Sequence, residues 1–413
     1  MPMETENTNE RRKGRKGSSL IKLALFLFIF VLVIGVAVYA FLDINPINVF
    51  TEGYNELYSK IVLKSKAELT EKVRNIGTYE NSEYFSAATV SNNFVIAEKS
   101  SVRIIDMYGN EKAYIPVSLN KPHIHSYKQR AIIADLEGRF LALLDDGKIL
   151  WQKSLNEDIV YASISENWIL LITNSKEAGY KRSIRAWSLD GQEVSIRNIS
   201  NYYPVSVSHY PTFEKATFVV NGVDISGLET NSFFDFLDPA MAQKASIRGD
   251  NEVMAKGMPA GDKLFLYGEK SIFLIDNMFN TVWKKKTADS LITAASVIDG
   301  KYPVYAERDT EIYSRENRNV TNVRILNQDS SVKKELIVDD VVTGIISSGK
   351  TAALISGHEI LFINSNGEIM DTYTSKMNIS GVYLANEKMA YIVSGGTITR
   401  FNINVSHKKF GIF

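Results

Sequence analysis

Two patterns of apolar and polar residues divide the chain. Residues 23–42 form an uncharged apolar run, and helical spacing of apolar residues follows within residues 43–83. From Tyr84 onward, short alternating or β-branched segments follow one another with polar turns between them. Alternation with a period of two predicts strands, whereas spacing at i, i+3, i+4 and i+7 predicts a helix. We therefore expect a helical N-terminal part and an all-β domain over residues 84–413.

One strand–turn–strand unit recurs six times in the β part. Each copy has an apolar strand that ends in Asp or Asn, a turn that tolerates positive φ, and a second strand. The copies lie at residues 101–117, 139–155, 183–199, 271–287, 322–338 and 359–375. A unit of strand, short polar turn and apolar strand precedes several of them, at residues 89–100, 163–174, 345–357 and 383–396. Four strands in about 40 residues are typical of a β-propeller blade.

The spacing of the repeat also suggests the number of blades. Over residues 84–413, eight blades average about 41 residues and seven average about 47, so we favour eight and keep seven as the alternative. One blade cannot bury both faces of its sheet, so neighbouring blades must stack and close a ring. The turn glycines expected to support this stacking are Gly109, Gly147, Gly191 and Gly367.

The apolar run at residues 23–42 is long enough to cross a membrane as a helix. Six positive charges precede it, at Arg11, Arg12, Lys13, Arg15, Lys16 and Lys22. The positive-inside rule then places residues 1–22 in the cytoplasm as a basic tail and the propeller outside the cell. A signal peptide cleaved after Val38-Tyr39-Ala40 is the alternative, although its apolar region is normally shorter. We expect a signal-anchor of a single-pass protein of the cell membrane.

Residues 43–83 are predicted to be a short, partly helical stalk. An apolar stripe at helical spacing comprises Tyr54, Leu57, Tyr58, Ile61 and Val62. Because it lasts only two turns, packing on the adjoining domain explains it better than an independent dimer-forming helix.

Composition narrows the chemistry. The chain of 413 residues has no cysteine, which excludes disulfides, thiolate metal sites and cysteine nucleophiles. Its formal net charge is zero, so nothing favours a nucleic-acid partner, for which a basic excess is expected.

A family resemblance rests on the segment "LALLDDGKILWQKSL" at residues 141–155. It resembles the repeat of the PQQ-like, tryptophan-docking propellers, and Trp283 in "NTVWKKK" matches it as well. The resemblance implies that Trp151 and Trp283 dock between blades, with Ala113, Ser195 and Asp371 in the same slot elsewhere. The whole arrangement resembles membrane-anchored propeller proteins of Gram-positive-type bacteria.

The same resemblance raises the question of a quinone cofactor. Quinoprotein dehydrogenases use a tryptophan floor, a Ca²⁺ site and a vicinal disulfide. The disulfide cannot form here, and no Ca²⁺ ligand set can be placed, so we expect no cofactor.

Two motifs resemble a phosphate-binding or a metal-binding site, and neither is specific. "GIISSGKT" at residues 344–351 matches the phosphate-loop pattern, but a strand rather than a helix is predicted after it, which favours an ordinary turn. His123 and His125 share one face of a predicted strand, yet two histidines do not make a zinc site. We therefore assign no catalytic and no metal-binding residue.

Recognition residues are harder to separate from core residues. Tyr202, Tyr203, His209 and Tyr210 form an aromatic cluster in "NYYPVSVSHYP", which is either a recognition patch or packing between blades. Residues 227–250 and 307–320 interrupt the repeat, and such loops are common partner sites or tolerated insertions.

Three functions remain open from the sequence. The favoured one is a membrane-tethered scaffold that binds another extracytoplasmic or membrane protein without catalysis. The alternatives are an extracytoplasmic enzyme and a sensor for a ligand or glycan, each with its site at the propeller channel. Several Asp, Glu, His or Arg side chains converging on the channel from different blades would favour the enzyme.

Overall fold

Eight four-stranded antiparallel sheets make up the part of the chain that the computed structural model describes, residues 71–80, 84–213, 217–249, 251–287, 290–316 and 318–404. Each sheet is one blade, so the predicted all-β propeller of eight blades is confirmed. The predicted basic tail, transmembrane helix and most of the stalk lie outside the described residues.

Blades 1 to 4 take their strands in chain order. Blade 1 contains β2 (Ser86–Val90), β3 (Asn93–Ala97), β4 (Ser101–Ile105) and β5 (Glu111–Pro116). Blade 2 contains β6 (Pro122–Tyr127), β7 (Arg130–Asp135), β8 (Phe140–Asp145) and β9 (Lys148–Ser154). Blade 3 contains β10 (Ile159–Ile164), β11 (Ile169–Asn174), β12 (Arg182–Trp187) and β13 (Glu193–Ile199). Blade 4 contains β14 (Tyr203–His209), β15 (Phe218–Asp224), β16 (Asn231–Leu237) and β17 (Gln243–Arg248).

Blades 5 to 7 follow the same order, and blade 8 takes one strand from the start of the ring. Blade 5 contains β18 (Met258–Ala260), β19 (Lys263–Tyr267), β20 (Ser271–Ile275) and β21 (Thr281–Lys286). Blade 6 contains β22 (Leu291–Ile298), β23 (Tyr302–Arg308), the helix α1 (Thr310–Glu316), β24 (Thr321–Leu326) and β25 (Val332–Val338). Blade 7 contains β26 (Gly344–Ser348), β27 (Thr351–Ser356), β28 (Glu359–Asn364) and β29 (Ile369–Thr374). Blade 8 contains β30 (Ile379–Asn386), β31 (Met389–Ser394), β32 (Thr397–Asn402) and β1 (Val73–Thr78).

Ring closure corrects the predicted domain boundary. Strand β1 pairs antiparallel with β32, from Val73 opposite Phe401 to Thr78 opposite Thr397. The propeller therefore starts at Val73 rather than at Tyr84, and the end of the predicted stalk belongs to the ring. The repeat pattern hides this, because the missing strand of blade 8 comes from the other end of the domain.

Two predicted interruptions have different outcomes. Residues 227–250 were expected to be irregular, but most of them form the two outer strands of blade 4, so that expectation is wrong. Residues 307–320 do depart from the repeat, because α1 lies between the second and third strands of blade 6. The stretch "GIISSGKT" forms β26 and a turn at Gly349 that leads into β27, as the strand–turn–strand interpretation predicts.

The turn between the third and fourth strand of a blade explains why these strands end in Asp or Asn. Asp106 Oδ1 accepts hydrogen bonds of 2.9 Å from the backbone N–H groups of Tyr108 and Asn110. Asp276 and Asn364 make the equivalent bonds in blades 5 and 7. An Asx turn of this kind satisfies backbone donors that the sheet leaves unpaired.

Alternation of the strands gives the ring two distinct faces. In every blade the first strand lies at the channel and the fourth strand is outermost. Equivalent turns of different blades therefore lie on the same side of the ring. We call the side with the turns between first and second strands, and between third and fourth strands, the lower face. The upper face carries the turns between second and third strands and the links from blade to blade. Hydrophobic clusters fill the space between adjacent blades, for example between Ile104 of blade 1 and Ile133 of blade 2.

Candidate binding site at the channel mouth

Trp151 and Trp283 occupy the same position in blades 2 and 5. The indole Nε1 of Trp151 donates a hydrogen bond of 2.8 Å to the carbonyl of Leu189 in blade 3. Trp283 Nε1 donates one of 2.9 Å to the carbonyl of Gln328 in blade 6. Each tryptophan therefore reaches from the outermost strand of one blade to the lower-face turn of the next.

At two other seams, the residue in the position equivalent to Trp151 still makes a polar contact with the next blade. Ser195 Oγ donates a hydrogen bond of 2.8 Å to the carbonyl of Pro239 in blade 4. Asp371 accepts one of 2.8 Å from the Asn404 backbone N–H, and pairs with Lys72 at 2.7 Å. These contacts could not be predicted from the sequence, since neither side chain resembles tryptophan in size or shape.

The turn glycines lie beneath these contacts. Gly109, Gly147, Gly191 and Gly367 all have positive φ, between 74° and 91°. A Cβ at Gly191 would lie 3.1 Å from Cε2 of Trp151. One at Gly109 would lie 3.1 Å from the carbonyl oxygen of Ile76 in β1. The backbone conformation and the close approach of the preceding blade both favour glycine there.

A second set of interblade hydrogen bonds lines the channel. His123 Nε2 donates one of 2.8 Å to the carbonyl of Ala162, and His125 Nδ1 accepts one of 3.2 Å from the N–H of Ile164. Ser163 Oγ continues the series with a bond of 2.8 Å to the carbonyl of Val207. Both histidines of the "HIH" pair thus hold blade 2 to blade 3.

Burial explains the protonation state of these histidines. Burial, with the nearby Lys256 ammonium and His123 adding to it, lowers the pKa of His125 to about 3. Burial also lowers the pKa of His123, although its hydrogen bond to Ala162 opposes the effect. Both imidazoles are therefore neutral at pH 7, and the hydrogen bond that His125 Nδ1 accepts from Ile164 requires a neutral ring there.

A cavity of about 270 Å³ opens at the lower mouth of the channel. Four blades contribute charged or imidazole side chains to its wall: His125 from blade 2, Glu166 from blade 3, His209 from blade 4 and Lys256 from blade 5. This convergence is the feature that the sequence alone could not show. We take this cavity as the candidate binding site.

The predicted aromatic cluster does not form one patch. Tyr202 is buried, and its hydroxyl donates a hydrogen bond of 2.5 Å to Asp235. Tyr203 packs against Lys181, whose Nζ lies 4.5 Å from the ring centroid. Tyr210 is buried at the other end of β14, where its hydroxyl donates to the carbonyl of Gly257. Of the four residues, His209 and Tyr210 line the cavity at the channel mouth.

A larger cavity, of about 350 Å³, lies between blades 2 and 3. Its charges compensate one another, because Arg185 pairs with Glu157 at 2.8 Å and with Glu193 at 2.5 Å. Burial alone would raise the pKa of Glu157, but hydrogen bonds from Thr173 and Arg185 lower it overall. We therefore interpret this cavity as part of the seam between the blades rather than as a binding site.

Apolar side chains stand out on the upper face. Ile225 and Leu228 in the β15–β16 connection are 61% and 109% exposed, and Tyr180 in the neighbouring blade 3 is 43% exposed. Tyr313, on α1 of blade 6, is also 43% exposed. These residues lie on the three connections between second and third strands that are longest, at residues 175–181, 225–230 and 309–320, which we call the upper loops.

The described residues contain neither a cluster of metal ligands nor a membrane-spanning helix. No three His, Asp or Glu side chains among them come together as metal ligands would. No helix in that part of the chain has the length and apolar character needed to span a membrane, and the span predicted at residues 23–42 lies outside it.

The chain belongs to a family of unknown function, DUF5711, whose pattern matches residues 64–403. A comparison with curated proteins found no significant match.

Solved structures share the fold at low sequence identity. BamB from Moraxella catarrhalis is 14% identical with a TM-score of 0.50, over 80% of this chain and 99% of that one. Sqt1 from Saccharomyces cerevisiae is 10% identical with a TM-score of 0.59, over 79% and 97%. Dihydro-heme d1 dehydrogenase NirN, in complex with DHE, is 15% identical with a TM-score of 0.53, over 81% and 78%. At such identities the likeness shows the propeller fold alone.

Proposed function

We propose that this protein is a membrane-tethered, extracytoplasmic module that binds a protein partner through the upper face of its propeller, without catalysis of its own. The observation that carries the proposal is the exposure of Ile225 and Leu228 beside Tyr180 on the upper loops. The tether rests on the apolar run at residues 23–42 and the basic residues before it.

Energetics favour the upper loops as a contact surface. Leucine and isoleucine side chains each gain about 1.5–3 kcal/mol when a partner removes them from water. Apolar and aromatic residues at the centre of an interface commonly supply most of its affinity. The hydrogen-bonded seams below hold the blades in a fixed arrangement, so the loops start from a rigid base and lose little entropy on binding.

The occupant we expect is another extracytoplasmic or membrane protein. Exposed Glu177 and Glu229 lie on the same upper loops as the apolar residues, together with the partly exposed Lys181, and would form a polar border of both charge signs. A polar border around an apolar centre is the usual anatomy of a protein interface.

The test is crosslinking in intact cells with tagged full-length protein, followed by capture and comparison of variants. The double variant Ile225→Ser and Leu228→Ser should weaken recovery of the partner more than tenfold, because two buried anchors are lost. Leu150→Ser is the matched control, since Leu150 is 59% exposed but lies on the outermost strand of blade 2. Equal recovery by parent, control and double variant would contradict the proposal, as would no recovered partner at all.

A further inference from the structure

Lys256 is the centre of an unbalanced charge at the channel mouth. Among the residues that the structure describes, no carboxylate forms an ion pair with it, and burial of the ammonium lowers its pKa. The residue is exposed, so its ammonium meets water and solutes within the cavity. An ammonium at the cavity wall that has no counter-charge from the protein can pair with an anion that enters the cavity.

The groups that face Lys256 do not compensate it. His125 and His123 are near enough for the ammonium to lower their pKa values further, and both imidazoles are neutral. Glu166, the carboxylate on the cavity wall, pairs with Lys128 at 3.1 Å at the rim. The interior of the cavity therefore carries the positive charge of Lys256.

Hydrogen-bond donors accompany this charge. Because His125 Nδ1 accepts a hydrogen bond from Ile164, the proton of the neutral ring is on Nε2. That N–H makes no hydrogen bond within the described residues. The ring of His209 packs edge-on against Phe218, with centroids 6.0 Å apart, and its nitrogens remain available to a ligand.

We propose that the lower mouth of the channel binds a small oxyanion, the carboxylate or phosphate group of a ligand, with Lys256 as the charged contact and His125 and His209 as hydrogen-bonding contacts. The cavity of about 270 Å³ suits a ligand about the size of a monosaccharide acid. This site lies on the opposite face from the upper loops. It therefore goes beyond the proposed function and does not depend on it.

The oxyanion could come from a free metabolite or glycan, or from a lipid headgroup. The chain enters the ring at Val73 and leaves it at Asn404 on the lower face, the same side as the cavity. The experiment must therefore separate a soluble anion from a membrane one.

The test is calorimetric titration of the full-length protein in phosphatidylcholine nanodiscs. Glucuronate is the carboxylate probe, with glucose as its neutral match, and glycerol 3-phosphate is the phosphate probe, with glycerol as its match. We expect at least one anion to bind and its neutral match not to bind. Lys256→Met should weaken that binding at least tenfold. Lys350→Met, which removes an exposed lysine from the turn between the first and second strands of blade 7 on the same face, should change it less than twofold.

A second readout separates binding from a structural role. If Lys256 is an uncompensated cation, Lys256→Met should leave the thermal midpoint of the free protein unchanged or raised. A lowered midpoint would mean that Lys256 has a structural partner, and would overturn the proposal. The absence of anion binding, or equal binding of anion and neutral match, would overturn it as well.

Nanodiscs that also contain phosphatidylglycerol identify the source. Weaker binding of the free anion in these discs, seen in the parent and absent in Lys256→Met, assigns the site to a lipid headgroup. Unchanged binding assigns it to a soluble anion.

Discussion

Trp151 donates its indole hydrogen to the carbonyl of Leu189, 2.8 Å away in the neighbouring blade. The ring also covers Gly191, two residues further along the same turn. One side chain thus fills an apolar gap and satisfies a backbone acceptor across the seam.

Removal of this side chain should weaken the seam. Trp151→Ala is expected to lower the free energy of unfolding by about 3 kcal/mol, because it leaves a cavity and an unpaired carbonyl. Trp151→Phe keeps most of the packing and should cost about 1 kcal/mol. Denaturant unfolding followed by circular dichroism measures both. Tyr114→Ala is the control, since Tyr114 lies on an outermost strand and is 57% exposed. An equal effect of Trp151→Ala and Tyr114→Ala would refute the docking role.

Alanine substitutions at Gly191 and Gly179 should separate the cost of backbone strain at positive φ from the cost of a steric clash with Trp151. Gly191→Ala forces a side chain into φ +81° and places its Cβ 3.1 Å from Trp151. Gly179→Ala imposes the same strain at φ +87° with open space around it. We expect the first change to lower the thermal midpoint clearly more than the second, by an amount that corresponds to about 1 kcal/mol or more. Equal thermal midpoints of the two variants would show that the Trp151 side chain moves aside without a measurable cost.

Acid should destabilise the propeller through His125. The pKa of His125 is about 3 in the folded protein and near 6.5 when exposed, so above pH 6.5 both states are neutral. As the pH falls below 6.5, the imidazole of His125 becomes protonated in the unfolded state. In the folded state it stays neutral until about pH 3. The free energy of unfolding should then fall by up to about 1.4 kcal/mol per pH unit.

The variant His125→Asn tests this pH dependence, since its amide oxygen can still accept the N–H of Ile164. Denaturant unfolding between pH 7 and pH 5 should show a shallower loss of stability than in the parent. His358→Asn removes an exposed imidazole from the upper face and serves as the control. A slope that stays the same in His125→Asn would show that His125 becomes protonated without cost.

An engineered disulfide between β1 and β32 should stabilise the ring. Thr78 and Thr397 are direct partners in the β1–β32 ladder, close enough for a disulfide, and the chain has no other cysteine. The double variant T78C and T397C should unfold with about 2–4 kcal/mol more free energy when oxidised than when reduced. Reduction of the same sample is the control. Coincident unfolding curves of the oxidised and reduced protein would contradict the expected stabilisation.

The repeated turns made the fold predictable. Asp106, Asp276 and Asn364 each end a third strand and hold the turn that follows, and this local chemistry recurs often enough to count blades. Ring closure by β1 could not be read the same way, because its partner β32 lies at the far end of the propeller. Alternation identifies a strand but does not specify its neighbour.

Most of the candidate site could not be predicted from the sequence. Lys256 and His209 belong to different blades and share no motif, so only the ring brings them together. The "HIH" pair was visible, but its role depends on the carbonyl of Ala162 and the N–H of Ile164, which any residues would supply. Tyr202 and Tyr203 looked like companions of His209, yet the length of β14 separates them from it.

Closure through β1 makes one ladder the mechanical entry point of the propeller. Any pull on the segment before Glu71 reaches the ring first at Glu71 and Lys72, whose backbone carbonyls accept hydrogen bonds from Asn402 at the end of β32. Tension along the strand is shared by all the hydrogen bonds of the ladder, whereas tension across it breaks them one after another from the lower face. The direction of the load therefore decides whether the ring holds as a closed body or opens between β1 and β32.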